Sequence, residues 1–228
     1  MDVVSYDDYS TGFKENENQL ATYVSGDIEN IKQISVTGFD CCVHLAAQSR
    51  VQPSFENPGE SLRVNVKGTL KVMEWAKKNK VRVIYAGSSS KHHDPSDSPY
   101  ATTKSLGEEI CKLYKKSYSV DVEIARFYNV YGPFEPLDEK FGNVIGIWRV
   151  KAMKGLPLTI VGDGNQTRDF IHVYDLVRGI IKAATSKKIG KVYNIGGGKE
   201  IKVNKIAKLI GGKTVNIPKR PGEPDRSV

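Results

Sequence analysis

Short runs of consecutive apolar residues alternate along this chain with longer stretches whose apolar positions recur every three to four residues. The runs Val3 to Tyr6, Cys41 to Ala46, Val81 to Ala86, Val122 to Phe127 and Lys191 to Ile195 predict strands. Leu62 to Lys80, Pro99 to Tyr118 and Val173 to Thr185 predict helices. Strands alternating with helices imply an α/β fold, a doubly wound parallel sheet with helical crossovers. Open parallel sheets bind ligands at the carboxyl ends of their strands, so the chemistry is expected just after these runs. Pro133 to Asp138 is loop-rich and Gly211 to Pro224 is rich in Gly, Pro and Lys, and the domain character is expected to change near both.

Composition narrows the function classes. With 228 residues, 39% hydrophobic and 26% charged, the chain has enough apolar material for one substantial core or two small ones. No apolar run is long enough to span a bilayer, and Met1 to Ser10 lacks the basic start and apolar centre of a signal peptide, so a cytoplasmic address is expected. The three cysteines, two of them adjacent as Cys41 and Cys42, form no disulfide framework and are read as reduced. The net charge of +8 comes from lysines scattered over helix faces rather than one basic block. Nucleic acid is therefore not the expected partner, and the surplus suits a small anionic ligand such as a nucleotide.

The densest chemistry lies in Ser98-Pro99-Tyr100-Ala101-Thr102-Thr103-Lys104, which reads as a capped helix start with Pro99 in the first turn. A spacing of four puts Tyr100 and Lys104 on one helix face. A tyrosine serving as base near neutrality needs its pKa lowered by roughly three units, about 4 kcal/mol, and an adjacent ammonium supplies part of that. Just upstream, the strand Val81 to Ala86 opens into Gly87-Ser88-Ser89-Ser90, where a serine can reach the same site.

This succession of apolar strand, serine cluster and Ser-Pro-Tyr-x-x-x-Lys resembles the catalytic segment of the nucleotide-sugar epimerases of the extended short-chain dehydrogenase/reductase family. The resemblance implies Ser88, Tyr100 and Lys104 as catalytic residues, with the choice among Ser88, Ser89 and Ser90 left open. It implies NAD as cofactor, the acidic Asp7 bonding the adenosine ribose, Asp27 and Ile28 at the adenine edge, and Leu45, Ala46, Ala47, Ser49 and Asn65 lining the cofactor together with Tyr100 and Lys104. A carboxylate at Asp7 suits a vicinal diol and repels a 2′-phosphate, favouring NAD over NADP. Downstream it implies that Ser88, Asn129, Asn143, Arg168, Arg220 and Glu223 hold the substrate, a nucleoside-diphosphate sugar with UDP as the expected nucleotide, the arginine forks gripping the diphosphate. It further implies a Rossmann-like NAD-binding domain over 1–132 and about 169–198, a substrate region over 133–168 and 199–228, and a homodimer through the tyrosine-bearing helix, where Ile110, Leu113 and Tyr114 are the apolar candidates.

Two departures from the family pattern carry expectations of their own. Only six residues precede Asp7, so the first strand and glycine-rich loop that come before this carboxylate in the family are expected to lie outside this chain, as is sequence beyond Arg220-Pro221-Gly222-Glu223. Weak NAD retention by these 228 residues is expected in consequence. The loop from Ser90 to Tyr100 is short and carries His92 and His93 where relatives have tyrosine and glycine, so sugar specificity is expected to differ. His92-His93-Asp94 is not expected to bind a metal, because neighbouring histidines rarely converge on one ion. Gly196-Gly197-Gly198-Lys199 lacks the rest of a P-loop and is read as a plain strand-to-helix turn. The implied activity is epimerisation, at C4, through a transient keto sugar. The rivals are a 4,6-dehydratase or decarboxylase, disfavoured because Ser89 and Ser90 offer no extra carboxylate, and a non-catalytic nucleotide-sugar-binding remnant.

Overall fold

The structure, a computed structural model, describes residues 2–34, 38–188 and 190–226. Four strands, β3 (Cys41–His44), β4 (Arg82–Ser88), β5 (Val122–Phe127) and β9 (Val192–Ile195), form a parallel sheet in the order β3-β4-β5-β9. Strand alternation sorts its two faces. Val83 and Tyr85 of β4 and Val122 and Ile124 of β5 join Met73 and Trp75 of α3 (Thr69–Asn79) and Cys111 of α4 (Pro99–Tyr118) in the main core. The intervening Ile84 and Ala125 pack on Ala183 of α6 (Val173–Thr185) on the other face. The middle of the sheet is thus covered on both sides, which is why β4 carries the unbroken apolar run Val83 to Ala86.

Two buried ion pairs clamp this centre. Glu123 of β5, fully buried, accepts from Arg82 at 2.7 Å and from the backbone of Gly190 and Lys191. Glu108 of α4 takes a bidentate grip from Arg126 at 2.9 and 2.8 Å. Where α4 crosses β4, a Cβ on Gly107 would stand 2.1 Å from the Tyr85 hydroxyl, so only glycine permits this approach.

The remaining strands are short. β1 (Val4–Asp7) and β2 (Thr22–Ser25) pair in parallel as a separate two-stranded sheet. β6 (Asn129–Tyr131), β8 (Thr167–His172) and β10 (Glu200–Lys202) form a second small sheet, and β7 (Leu158–Val161) with β11 (Thr214–Ile217) a third. Trp148 of α5 (Val144–Met153), Leu158, Ile160, Phe170 and Val203, Ile206 and Ala207 of α7 (Val203–Ile210) make a second apolar cluster beneath them.

The predicted helices Pro99 to Tyr118 and Val173 to Thr185 and the strand Val122 to Phe127 coincide with the observed elements. The expected helix Leu62 to Lys80 is interrupted: a wide π turn over Arg63–Gly68 joins α2 (Pro58–Leu62) to α3, and Lys80 ends it in the left-handed conformation. The glycine run 196–198 leads into a strand, β10, rather than a helix, because its Gly197 and Gly198 amides turn back to the buried carboxylate of Asp169 at 2.7 and 3.0 Å.

Candidate active site

A cleft of about 900 Å³ opens at the carboxyl ends of the sheet, between the turns after β3 and β4, the start of α4 and the loops that follow β5 and β8. Helix α4 begins where the sequence places it: Ser98, in extended conformation, accepts from the Ala101 amide at 3.1 Å, and Pro99 occupies the first turn. The Tyr100 amide, too near the helix start for an intrahelical partner, donates to Ser54 Oγ at 3.0 Å, and Ser54 is held in turn by the Val51 carbonyl at 2.6 Å. The tyrosine backbone is therefore fixed from α1 (Val51–Glu56) as well as from its own helix.

The Tyr100 hydroxyl donates to Ser88 Oγ at 3.1 Å, and Ser88 also accepts from the amide and hydroxyl of Ser90 at 3.1 and 3.0 Å. Of the three serines, Ser88 is the one that meets the phenol. Lys104, one turn below, is buried, donates to the Ala86 carbonyl at 2.5 Å and lies 4.7 Å over the Tyr85 ring. Burial pushes its amine down to about 8. Burial also raises the Tyr100 phenol, partly offset by the Ser88 bond and by the charge of Arg50. In this structure the Lys104 amine rests on a backbone carbonyl rather than on the phenol, and the charge of Arg50 also acts on Tyr100.

The cleft gathers Leu45, Ala47, Ser49, Ser88, Tyr100, Lys104, Asn129, Asn143, Arg168, Arg220 and Glu223. Asp7, Asp27, Ile28, Ala46 and Asn65 do not line it. Asp7 is exposed at the end of β1, one carboxylate oxygen accepting from the Tyr9 amide at 2.7 Å. Ala46 is exposed in the turn after β3.

Several expected contact residues instead spend their polar atoms on the fold. Asn65, fully buried, bonds both backbone groups of Gln48 at 2.7 and 3.0 Å and Thr103 at 3.0 Å, tying the turn after β3 to α4. Asp27 caps the 3₁₀ turn Ile28–Gln33 through the Glu29 amide and pairs with Arg63 at 2.8 Å, while Ile28 packs on the main core. Asn143 caps α5 through the amides of Ile145 and Gly146 and donates to the Val130 carbonyl. Asn129 donates to the Asp169 carbonyl at 3.0 Å, and Arg220 pairs with Glu223 at 2.6 Å. Arg168 is half-buried, and burial lowers its guanidinium below the ordinary value.

Two cleft residues were not among the expected contacts. Arg50 follows directly on the recognised Leu45–Ser49 turn, and that adjacency was the available signal. His93 was read as a departure in the sugar-bordering loop but not as a contact residue, and it lines the cleft with its Nε2 buried and unpartnered.

Comparison with known proteins agrees with this arrangement. The NAD dependent epimerase/dehydratase family model matches residues 1–196. The chain is 34% identical over 226 residues to a putative UDP-glucose 4-epimerase of Methanocaldococcus jannaschii, covering 92% of this chain and 73% of that protein. It is 34% identical over 212 residues to a UDP-glucuronate 4-epimerase of Thermodesulfobacterium geofontis, covering 80% of this chain and 64% of that one. UDP-glucuronic acid decarboxylases are also among its relatives. The crystal structure of a UDP-glucose 4-epimerase from Thermotoga maritima with UDP-glucose superposes with a TM-score of 0.91 at 27% identity, covering 99% of this chain and 81% of that one. Other solved neighbours hold NAD.

Proposed function

Because the chain belongs to the NAD-dependent epimerase/dehydratase family, we propose that it inverts a hydroxyl-bearing carbon, C4, of a nucleoside-diphosphate sugar, a UDP-sugar, in the cleft above β4. The observation that carries this reading is the Tyr100 hydroxyl hydrogen-bonded to Ser88 at 3.1 Å on the cleft wall, with the Lys104 amine one helical turn below. In this mechanism Tyr100 takes the proton of the reacting hydroxyl and returns it, while Ser88 bonds the same oxygen and keeps it in line with the phenol. Lys104 serves as the nearby cation, swinging from the Ala86 carbonyl toward the ribose and phenol side. Arg168 and Arg220 grip the diphosphate, Asn129 and Asn143 shape the wall beside it, and Glu223 faces the nucleotide ribose.

The residues present fit the two ribose ends of NAD. Asp7 offers an exposed carboxylate with acceptor capacity left over for a vicinal diol, and the small residues Ala46 and Ala47 leave the backbone after β3 open to close approach. NAD, when bound, supplies reversible removal and return of the hydride at the sugar carbon. Asn65 contributes by fixing that turn, and Asp27 by fixing the segment after β2. The Ser89-Ser90 pair after Ser88 brings no carboxylate for elimination or decarboxylation, which favours simple inversion. Of the apolar candidates for a homodimer through α4, Tyr114 is buried in the main core and Ile110 packs against it, while Leu113, with Leu106, is exposed; sedimentation of the chain measures such a dimer.

The decisive test is Tyr100→Phe in NAD-supplemented protein. It is expected to lower the epimerisation rate by at least about a hundredfold with the melting temperature unchanged, because positioned proton transfer contributes about 10² to 10⁴. Turnover within threefold of the parent chain would remove Tyr100 from the chemistry.

A further inference from the structure

Arg50 is a cation in the cleft to which the mechanism above assigns no contact with the ligand. It is half-buried, and its only hydrogen bond among the described residues runs from Nε to the Phe141 carbonyl at 2.6 Å, leaving both terminal nitrogens without a protein acceptor. No carboxylate lies within ion-pair distance of it among the described residues; the charges of Asp138 and Glu135 reach it without contact, and Glu135 keeps one buried oxygen unpartnered. Glu56 pairs with Lys140 at 3.2 Å, Glu139 with Lys151 at 3.1 Å, Glu135 with Arg149 at 3.4 Å, and Glu223 with Arg220. Asp138 is exposed and accepts from the Lys140 and Phe141 amides. A guanidinium drawn partly out of water without a contacting counter-ion is costly, and burial lowers its pKa below the ordinary value although the Tyr100, Asp138 and Glu135 charges oppose it. Such a group is more economically explained by an anionic ligand than by the fold.

Its position says which part of the ligand. Arg50 and Tyr100 line the same cleft, and the Arg50 charge acts on the Tyr100 phenol, which puts the guanidinium on the reacting side of the cleft. The same cleft presents Ser89, Ser90 and the buried, unpartnered Nε2 of His93. The loop bearing His93 is braced: its amide bonds the Ser90 carbonyl at 3.0 Å, and His92 stacks on Tyr128.

We propose that Arg50, assisted by His93 and the serine hydroxyls, forms an anion subsite next to the reacting carbon, and that the preferred sugar is a uronic acid whose carboxylate occupies it. The guanidinium fork matches a planar carboxylate bidentately, and neutral donors around it satisfy the remaining lone pairs. This rests on the reading of the cleft as a nucleotide-sugar site.

The test is calorimetric titration of the full chain with UDP, UDP-glucose and UDP-glucuronate, which needs no turnover. UDP-glucuronate is expected to bind at least about tenfold more tightly than UDP-glucose, the scale of one charge-assisted contact. Arg50→Gln should erase that difference while leaving UDP and UDP-glucose within twofold. Arg50→Lys, which keeps the charge and guards against a folding defect, should retain part of it. Equal affinity of the parent chain for the two sugars overturns the subsite, as does an Arg50→Gln loss shared equally with UDP, which would assign Arg50 to the diphosphate. Absence of any UDP binding would sink the underlying nucleotide-sugar reading, and this proposal with it.

Discussion

The two ends of the nucleotide-binding half are built by different physics. At the β4–α4 seam, Ser88, Lys104, Glu108 and Tyr85 are all at most 7% exposed, glycine at 107 lets helix and strand touch, and bidentate Arg126 locks the helix to the sheet. At β1–β2, two four-residue strands pair only with each other among the described residues. They are held by the Tyr6 hydroxyl on the Asp27 carbonyl at 3.1 Å, by Ile28 on the core, and by a half-exposed network in which Arg63 meets Asp27, Glu29 and Glu60. The difference follows from the tasks. Proton transfer tolerates little misplacement, so its groups sit on buried, over-determined elements. The ribose contact proposed for Asp7 asks only for a reachable carboxylate, and a screened ionic surface suffices.

That contrast can be broken at the seam first. Glu108→Ala leaves the Arg126 guanidinium buried without its partner, and denaturant titration is expected to show a loss of about 3 to 5 kcal/mol. A loss below 1 kcal/mol would mean that the clamp is not what fixes α4.

Acid sharpens the contrast with a smaller effect. Burial pushes the His44 imidazole down to about 3 from its ordinary 6.5, with the Lys104 charge adding to it, and the neutral ring sits against Thr69 at 3.0 Å. The unfolded chain therefore binds a proton that the folded chain refuses between pH 6.5 and about 3. Stability is fully present above pH 6.5 and falls as the pH drops through that window, by up to about 1.4 kcal/mol per unit. Melts of the parent chain and His44→Gln from pH 7.5 to 4.5 should diverge in slope, and parallel slopes would contradict a neutral buried His44.

At β1–β2 the expected effects are smallest. Thr22→Ala should change stability by no more than about 0.5 kcal/mol. Amides of β1 and β2 should exchange with solvent ahead of those of β4 and β5, and faster still in 0.5 M salt, which screens the Arg63 network. Equal protection of the two regions would erase the distinction drawn between them.

How far the sequence carried this depended on the range of the interaction involved. Helix α4 was legible to the residue because its cap, its proline and its Tyr100–Lys104 spacing are local, and β5 because its apolar positions Val122, Ile124, Ala125 and Phe127 stand close together. The short β6, β8 and β10 were not, since three to six residues become strands only through partners far along the chain. The same limit governed the side chains. Residue type and order picked out Asn65, Asp27 and Asn143, but whether a polar side chain faces a ligand or satisfies a buried amide depends on which distant backbone lies within hydrogen-bond reach. By itself the sequence determined the α/β class and the family, and it pointed to Tyr100, Lys104 and one of three serines. Only the tertiary structure decided that Lys104 rests on Ala86, that Asn65 braces the turn after β3, and that Arg50 and His93 are left facing the cleft, because burial and pairing are settled by long-range packing.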